Sequence, residues 1–330
     1  MPGESLAIAH ASGPVFDAMK ISELLSLVRL RHSMRLRPCP VCGSGASREL
    51  LRYDRYLLPG RIRECEGCGM IYYGNMLPPQ ELEAFYVSLY GALMGFEASE
   101  RQVAVYRDEA RFRVQLMSGH LGPLDDVLEI GSGYGYFLDA CREAGATRLR
   151  GIEPSAAGTR HASCVLGLQD VVVHAPLLGA GNPPFVPRVV ALFHVLEHLA
   201  DPGAALALLS SWLPDGGHLV VEVPDTAGDW SSLGIANFHL SHASYFREET
   251  LAALLRRHGF RPGRVDREAC GIYPGNLRVF AVRDSVVAAA GPEAPPPSLA
   301  GHVARLARPW SLKNGYPRLA ARLARSLARR

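Results

Sequence analysis

From Val127 to Val223 the chain repeats one pattern: a short run of apolar, largely β-branched residues, then a longer stretch with apolar positions three and four apart. Val127-Leu-Glu-Ile130, Arg148-Leu-Arg-Gly-Ile152, Asp170-Val-Val-Val-His174, Val189-Val-Ala-Leu-Phe193 and His218-Leu-Val-Val-Glu-Val223 have the length and side-chain type of strands. Phe137–Ala144, Ser155–Leu168 and Gly203–Leu213 between them have helical spacing, and Asp201-Pro202 provides a cap and first-turn proline for the last. Strands alternating with helices predict an α/β sheet with helices on both faces. A long helical segment from Ser99 to His120 leads into the first strand, Glu248–His258 reads as a further helix, and Gly275–Val282 reads as the closing strand of an antiparallel pair.

Upstream the pattern changes. Residues 1–37 form an extension with one helical stretch, Val15–His32, whose Ile21, Leu24, Leu25 and Val28 share a side. Residues 38–75 carry Cys39-Pro-Val-Cys42-Gly43 and Cys65-Glu-Gly-Cys68-Gly69, two Cys-x-x-Cys pairs separated by a span suited to a hairpin. That spacing reads as a zinc ribbon in which Cys39, Cys42, Cys65 and Cys68 are the ligands. Four closed thiolates leave no position for substrate, so the ion is expected to be structural; a redox dithiol is the other reading. Zinc in such a site contributes on the order of 10–16 kcal/mol, which so small a segment needs in order to fold. The tyrosines that follow (Tyr72, Tyr73, Tyr86 and Tyr90) either line a pocket or pack the ribbon onto the main domain, residues 76–285.

Composition narrows the class. At 330 residues, one large domain with attachments is the expectation. No apolar run has the length of a membrane span, residues 1–20 lack the basic start and apolar core of a signal peptide, and seven cysteines in a chain of this size fit a reducing, cytoplasmic compartment. The net charge of +3 conceals an asymmetry: from Ala294 onward there are 8 Lys or Arg and no acid, so the body carries 27 basic against 32 acidic groups. A body of net charge −5 is not a nucleic-acid binder by charge alone. Residues 286–330 read as an Ala/Pro linker and a basic amphipathic tail (Leu306, Leu312, Leu319, Leu323, Leu327 among arginines), suited to a membrane surface, an acidic carrier protein or simple packing along one face.

The first strand ends in Gly131-Ser-Gly133-Tyr-Gly135, so the unit is strand, glycine loop, helix. Glycines let the backbone take positive φ and let a ligand approach it closely, while the following helix offers unpaired N–H groups. The second strand ends in Glu153-Pro154, about 20 residues on, where doubly wound folds grip a nucleotide ribose. Glu129 inside the first strand and the Glu-x-Gly-x-Gly-x-Gly spacing distinguish the loop from a nicotinamide site. The pattern resembles the class I methyltransferases that use S-adenosylmethionine, which have a Rossmann-like sheet. The resemblance implies that Gly131, Gly133 and Gly135 pass the methionine part, that Glu129 supports the loop or the amino group, and that Glu153-Pro154 holds the ribose. His194 borders the same pocket at the end of strand four.

Two other motifs point elsewhere by their letters alone. Asn182-Pro-Pro-Phe185 matches a motif of amine-methylating enzymes but precedes the fourth strand instead of ending it, so it reads as a loop. His194-Val-Leu-Glu197-His198 matches an inverted zinc protease, yet a strand runs into it and the helix starts only after Asp201-Pro202. In methyltransferases Glu-His is common after strand four, and some quinone O-methyltransferases bind a divalent metal with it and a nearby acid; here His194 stands in that acid's place.

Asn237-Phe-His-Leu-Ser-His-Ala-Ser-Tyr-Phe246 resembles the segment that supplies the base in the 3-C-methyltransferases of nucleotide-linked deoxysugars, which also begin with a zinc ribbon. The resemblance aligns His242 with the family histidine and Tyr245 with its tyrosine, while His239, Leu240 and Ser241 replace the family Tyr, His and Glu, and the family's C-terminal domain is absent. An imidazole of near-neutral pKa suits proton removal from an alcohol, phenol or acidic carbon. The expectation is methyl transfer to O or C of a small acceptor, a nucleotide-linked sugar or natural-product intermediate. His242 is the expected base, and His239, His198 and Tyr245 are the other candidates. An RNA methyltransferase using the ribbon for substrate, and a non-catalytic adenosyl-binding scaffold, are the alternatives.

Overall fold

The computed structural model describes residues 29–55, 58–85, 100–228, 237–270, 273–286 and 295–307. Most of the Val15–His32 helix, Tyr86, Tyr90 and the tail leucines beyond Leu306 lie outside them. The ribbon contributes β1 (Arg35–Leu36), β2 (Ser47–Leu51), β3 (Ile62–Cys65), β4 (Ile71–Tyr73) and β5 (Asn75–Met76), followed by helices α1 (Pro79–Phe85) and α2 (Glu100–Leu121). The main domain runs β6 (Val127–Ile130), α3 (Tyr136–Glu143), β7 (Leu149–Glu153), α4 (Ala156–Leu166), β8 (Val172–His174), β9 (Val189–Phe193), α5 (Pro202–Trp212) and β10 (His218–Pro224). It ends with β11 (Ser244–Tyr245), α6 (Glu248–Arg257), β12 (Phe260–Cys270) and β13 (Tyr273–Arg283), and α7 (Ala300–Ala307) follows.

The large sheet has the order β12-β13-β10-β9-β6-β7-β8, with β6 to β10 parallel and β13 antiparallel to both β10 and β12. Strand order reverses between β6 and β9, so the crevice at their C-terminal ends is where such a sheet binds ligand. Alternation along each strand decides the two cores. Val127, Val189, Ala191, Phe193 and Val220 face α2, α3 and α4, while Leu128, Ile130, Val190, Leu192 and Val221 face α5 and α6. Strands buried on both faces read as continuous apolar runs, the pattern that marked them in sequence. Caps fix the helix starts: Ser155 Oγ accepts from Gly158 N, and Asp201 Oδ1 accepts from Ala204 N ahead of Pro202.

The ribbon does not stand apart. β11, which belongs to the histidine segment, pairs antiparallel with β4 and completes a four-stranded sheet, β11-β4-β3-β2. Cys39, Cys65, Met70 and Tyr72 join the core under α5 and α6. On the ribbon's other side Ile62, Ile71 and Tyr73 pack with Phe238, Leu240 and Tyr245, and with Val303 and Leu306 of α7. The part of the tail within the described residues is thus docked on the ribbon, where buried Glu64 accepts from Leu299 N at 2.8 Å and Ser298 Oγ at 2.5 Å. Among the described residues no helix is long and apolar enough to cross a membrane.

Candidate active site

Gly131, Gly133 and Gly135 all take positive φ, as the loop after β6 requires. A Cβ at Gly131 would meet Val195 Cγ2 at 2.4 Å, so the chain after β9 lies directly on the loop; at Gly133 it would meet nothing within 4 Å, which leaves that position open to a ligand. Glu153, at the tip of β7, accepts from Gly133 N at 2.6 Å and Ser155 N at 2.7 Å, and so ties the loop to the second strand. Burial raises its pKa, and those two bonds oppose the rise. The neighbouring Pro154 is exposed, and its carbonyl lies 3.0 Å from His174 Nε2. Glu129 is fully inside: burial drives its carboxyl well above the ordinary value, and Oε2 has no donor among the described residues. Ser132 Oγ is likewise buried without a described partner. Buried unpaired polar atoms beneath an open glycine turn fit a ligand that brings its own donors and acceptors, such as an amino-acid and nucleoside cofactor.

His194 closes the end of β9 with φ of 55°. Its ring sits between two carboxylates, Nδ1 3.3 Å from Glu197 Oε1 and Nε2 3.3 Å from Glu222 Oε1. Burial would lower its pKa, but the two acids outweigh burial and lift it to about 8. A raised folded-state value stabilises the fold fully below the unfolded pKa near 6.5 and loses that contribution as pH rises through 8. Chemical denaturation of wild-type protein should therefore show stability falling by roughly 2 kcal/mol between pH 6.5 and 8.5, a step that His194→Asn removes. An unchanged step in the variant would assign it elsewhere. Glu222 is also held by Arg113 Nη2 at 2.6 Å and Arg278 Nε at 2.8 Å, and Arg113 lies over the Phe193 ring at 4.5 Å. Sequence reading missed Arg113 and Arg278, because a lone arginine in a long helix or a strand resembles any solvated cation.

The histidine segment lies behind the ribbon. Tyr73 N donates to Ala243 O at 3.1 Å, and Asp54 accepts from Leu58 N at 2.9 Å, the Tyr73 hydroxyl at 2.9 Å and Leu240 N at 3.1 Å. Arg37 donates to Tyr73 O at 2.9 Å, Ala200 O at 2.9 Å and Ala243 O at 2.5 Å, stitching ribbon, strand-four turn and histidine segment together. Nothing in the sequence marked Asp54 or Arg37, since both act across the chain. His239 and His242 lie with ring centroids 4.0 Å apart and their planes tilted by 42°, and His198 lies edge-on to His242 at 4.9 Å. The structure thus brings together His198, His239 and His242. Burial drives both His239 and His242 well below the usual imidazole value, aided by cationic neighbours, so the near-neutral pKa expected for His242 is corrected downward. Tyr245 is buried, and its hydroxyl accepts from His239 N at 3.1 Å and donates to His239 O at 3.2 Å.

The four cysteines converge, Cys39 Sγ 3.6 Å from Cys68 Sγ and Cys42 Sγ 3.4 Å from Cys65 Sγ, with all four donor atoms within 4.8 Å of one another. A tetrahedral ion with metal–sulfur bonds of about 2.3 Å spaces its ligands about 3.8 Å apart, so the set fits zinc. The expected proline loop is also seen: Asn182 Oδ1 accepts from Trp212 Nε1 at 3.0 Å, away from the crevice.

Residues 101–263 match the family model described as a methyltransferase domain. The chain is 36% identical over 116 residues to the tRNA U34 carboxymethyltransferase of Tolumonas auensis, covering 33% of this chain and 36% of that one. The protein of the same name from Shewanella amazonensis is 34% identical over 119 residues, covering 34% and 36%. The chain thus spans about a third of the length of the curated relatives it matches. A solved structure of the Burkholderia thailandensis 1,6-didemethyltoxoflavin N1-methyltransferase aligns with a TM-score of 0.50 and 19% identity, over 65% of this chain and 95% of that one. That likeness concerns the fold alone. Residues 101–263 therefore carry a methyltransferase domain, built on the Rossmann-like sheet described above.

Proposed function

We propose that the enzyme methylates an oxygen or carbon of a small hydroxylated or keto metabolite, such as a nucleotide-linked sugar or natural-product intermediate, with His242 as the proton acceptor. The observation that carries this reading is the buried histidine group beside the strand-four turn, which itself rests on the glycine loop. A desolvated imidazole is neutral at physiological pH, so its lone pair is available when substrate arrives. The sulfonium methyl is already activated, and the protein's main task is placement of the nucleophile in line with it. Gly131, Gly133, Gly135, Glu129 and Glu153 would hold the cofactor, and Cys39, Cys42, Cys65 and Cys68 a structural zinc ion that keeps the ribbon strand, and through it the histidine segment, in register.

Calorimetric titration with S-adenosylhomocysteine tests the cofactor half. Glu153→Ala is expected to weaken binding at least tenfold, about 1.4 kcal/mol, because it frees the loop and removes the acid at the ribose position. Unaltered affinity would reassign Glu153 to a structural part. A panel of hydroxylated acceptors, with His242→Ala as control, tests the other half.

A second reading, RNA as acceptor, is favoured by the two tRNA-modifying relatives. It calls for RNA binding that falls steeply with salt, whereas a small-molecule enzyme shows no such slope.

A further inference from the structure

We infer that Asn276, with Thr226 and Asn237, selects the acceptor by hydrogen bonds to neutral hydroxyl groups on the part of it remote from the reacting atom. The inference rests on the methyl-transfer reading and adds the residues that choose the substrate.

Asn276 lies near the start of β13, opposite Pro224 at the C-terminal end of β10. Alternation sets it on the face of Arg278 and Phe280, which α2 covers, while Leu277 and Val279 point toward α5 and α6. It is 1% exposed, and neither Oδ1 nor Nδ2 has a hydrogen-bond partner among the described residues. Asparagine is a poor strand former, and a buried carboxamide left unpaired is costly. Neither backbone preference nor packing therefore accounts for this residue at this position. Beside it there is room: a Cβ on Gly275 would meet nothing within 4 Å.

The same end of β10 gathers two more such groups. Thr226 Oγ1 and Asn237 Nδ2 are buried without a described partner. Asp225 N donates to Gly275 O at 3.2 Å and Thr226 N to Phe246 O at 2.8 Å, so the end of β10 is tied both to β13 and to the histidine segment. Asn237 opens that segment, and its main chain meets the ring of His242. The unpaired groups thus lead from β13 toward the proposed proton acceptor. Three strand spacings separate β13 from β6, about 14 Å at the usual separation. No asparagine side chain reaches the glycine loop across that distance, whereas the far end of an acceptor held at His242 does come within reach of it.

The charges nearby are matched among themselves. Arg278 and Arg113 hold Glu222, Arg278 also contacts Glu268, and Arg267 donates to Asp225 at 3.1 Å. What remains is neutral, and the Asn276 carboxamide offers donors beside an acceptor. Vicinal hydroxyls present the complementary pair, so a hydroxylated ring fits and an apolar ring does not. A site built to hydrogen-bond a hydroxyl rejects the analogue that lacks it, because its own polar groups then stay unpaired.

Two measurements test the assignment. A polar group kept for a ligand costs the free protein stability, so Asn276→Val, with a β-branched side chain suited to a strand, should leave the thermal unfolding midpoint unchanged or raised. A lowered midpoint, or a variant that fails to fold, would make the carboxamide part of the framework and overturn the inference. Calorimetry in the presence of S-adenosylhomocysteine then compares uridine diphosphate glucose, which carries vicinal hydroxyls, with uridine diphosphate. The wild type should bind the glycosylated probe at least tenfold more tightly, and Asn276→Val and Thr226→Val should each remove most of that preference while S-adenosylhomocysteine affinity is kept. Equal affinity for the two probes, or a preference that both variants retain, overturns the inference. Retained turnover in His242→Ala would strike the proton acceptor and leave the probe preference standing, so the two ideas fail separately.

Discussion

Arg278→Met should lower unfolding stability by roughly 3–5 kcal/mol, the cost of leaving a buried charge without its partner. Arg278 is 1% exposed and Glu222 not at all, and Arg278 also contacts Glu268 through Nη1. Burial alone would raise the Glu222 pKa; Arg113, then His194 and Arg278, reverse that and hold it well below the ordinary carboxylate value. A depressed carboxylate contributes stability above its unfolded pKa near 4.3 and loses it as pH falls through the lower folded value. The wild type should therefore lose this contribution below about pH 4.3, and the variant should show a smaller acid loss. Chemical denaturation at pH 7, and as a series of pH values descending from about 4.3, measures both. A single variant as stable as wild type would mean that Arg113 and His194 suffice for Glu222.

The second large effect concerns the four thiolates. With zinc in the four-thiolate site as proposed, stripping it with a chelator, or substituting Cys65→Ser, should remove on the order of 10 kcal/mol from the ribbon, comparable with the whole stability of a typical domain. Without metal the cluster is poorly matched: the bond from Cys68 draws the Cys39 thiol down to about 5, while burial pushes Cys65 up to about 11. Loss of β4 takes with it the pairing to Ser244–Tyr245 and the Asp54 bond to Leu240. Amide hydrogen exchange should then rise across residues 237–245, while β6 to β9, which rest on separate strand pairings, retain protection. Metal-free protein with unchanged exchange in that segment would show that the histidines are held without the ribbon.

The strands β6 to β10 were legible because each is buried on both faces and therefore apolar throughout, and because glycine, proline and capping residues punctuate them. The glycine loop was equally legible, since positive φ at Gly131, Gly133 and Gly135 restricts the residue choice. The cysteine pairs announced their convergence through spacing alone. The chemistry of the histidines was less so. His242 read as a near-neutral imidazole, yet burial beside His198 and near Arg55 lowers its pKa, and burial is a property of packing. Tyr245 read as a candidate for chemistry, and its hydroxyl is engaged by the backbone of His239.

Local sequence by itself determined which segments become strands and helices, where the glycine loop lies, and which thiols belong together, because backbone preference, periodicity and short-range spacing act within a few residues. Only the tertiary structure decided that β11 completes the ribbon sheet, that Asp54 and Arg37 bind a segment about two hundred positions away, and that His194, Arg113 and Arg278 converge on Glu222. Those pairings depend on distance and desolvation between elements remote in sequence, and an isolated polar residue carries no mark of the partner it will meet.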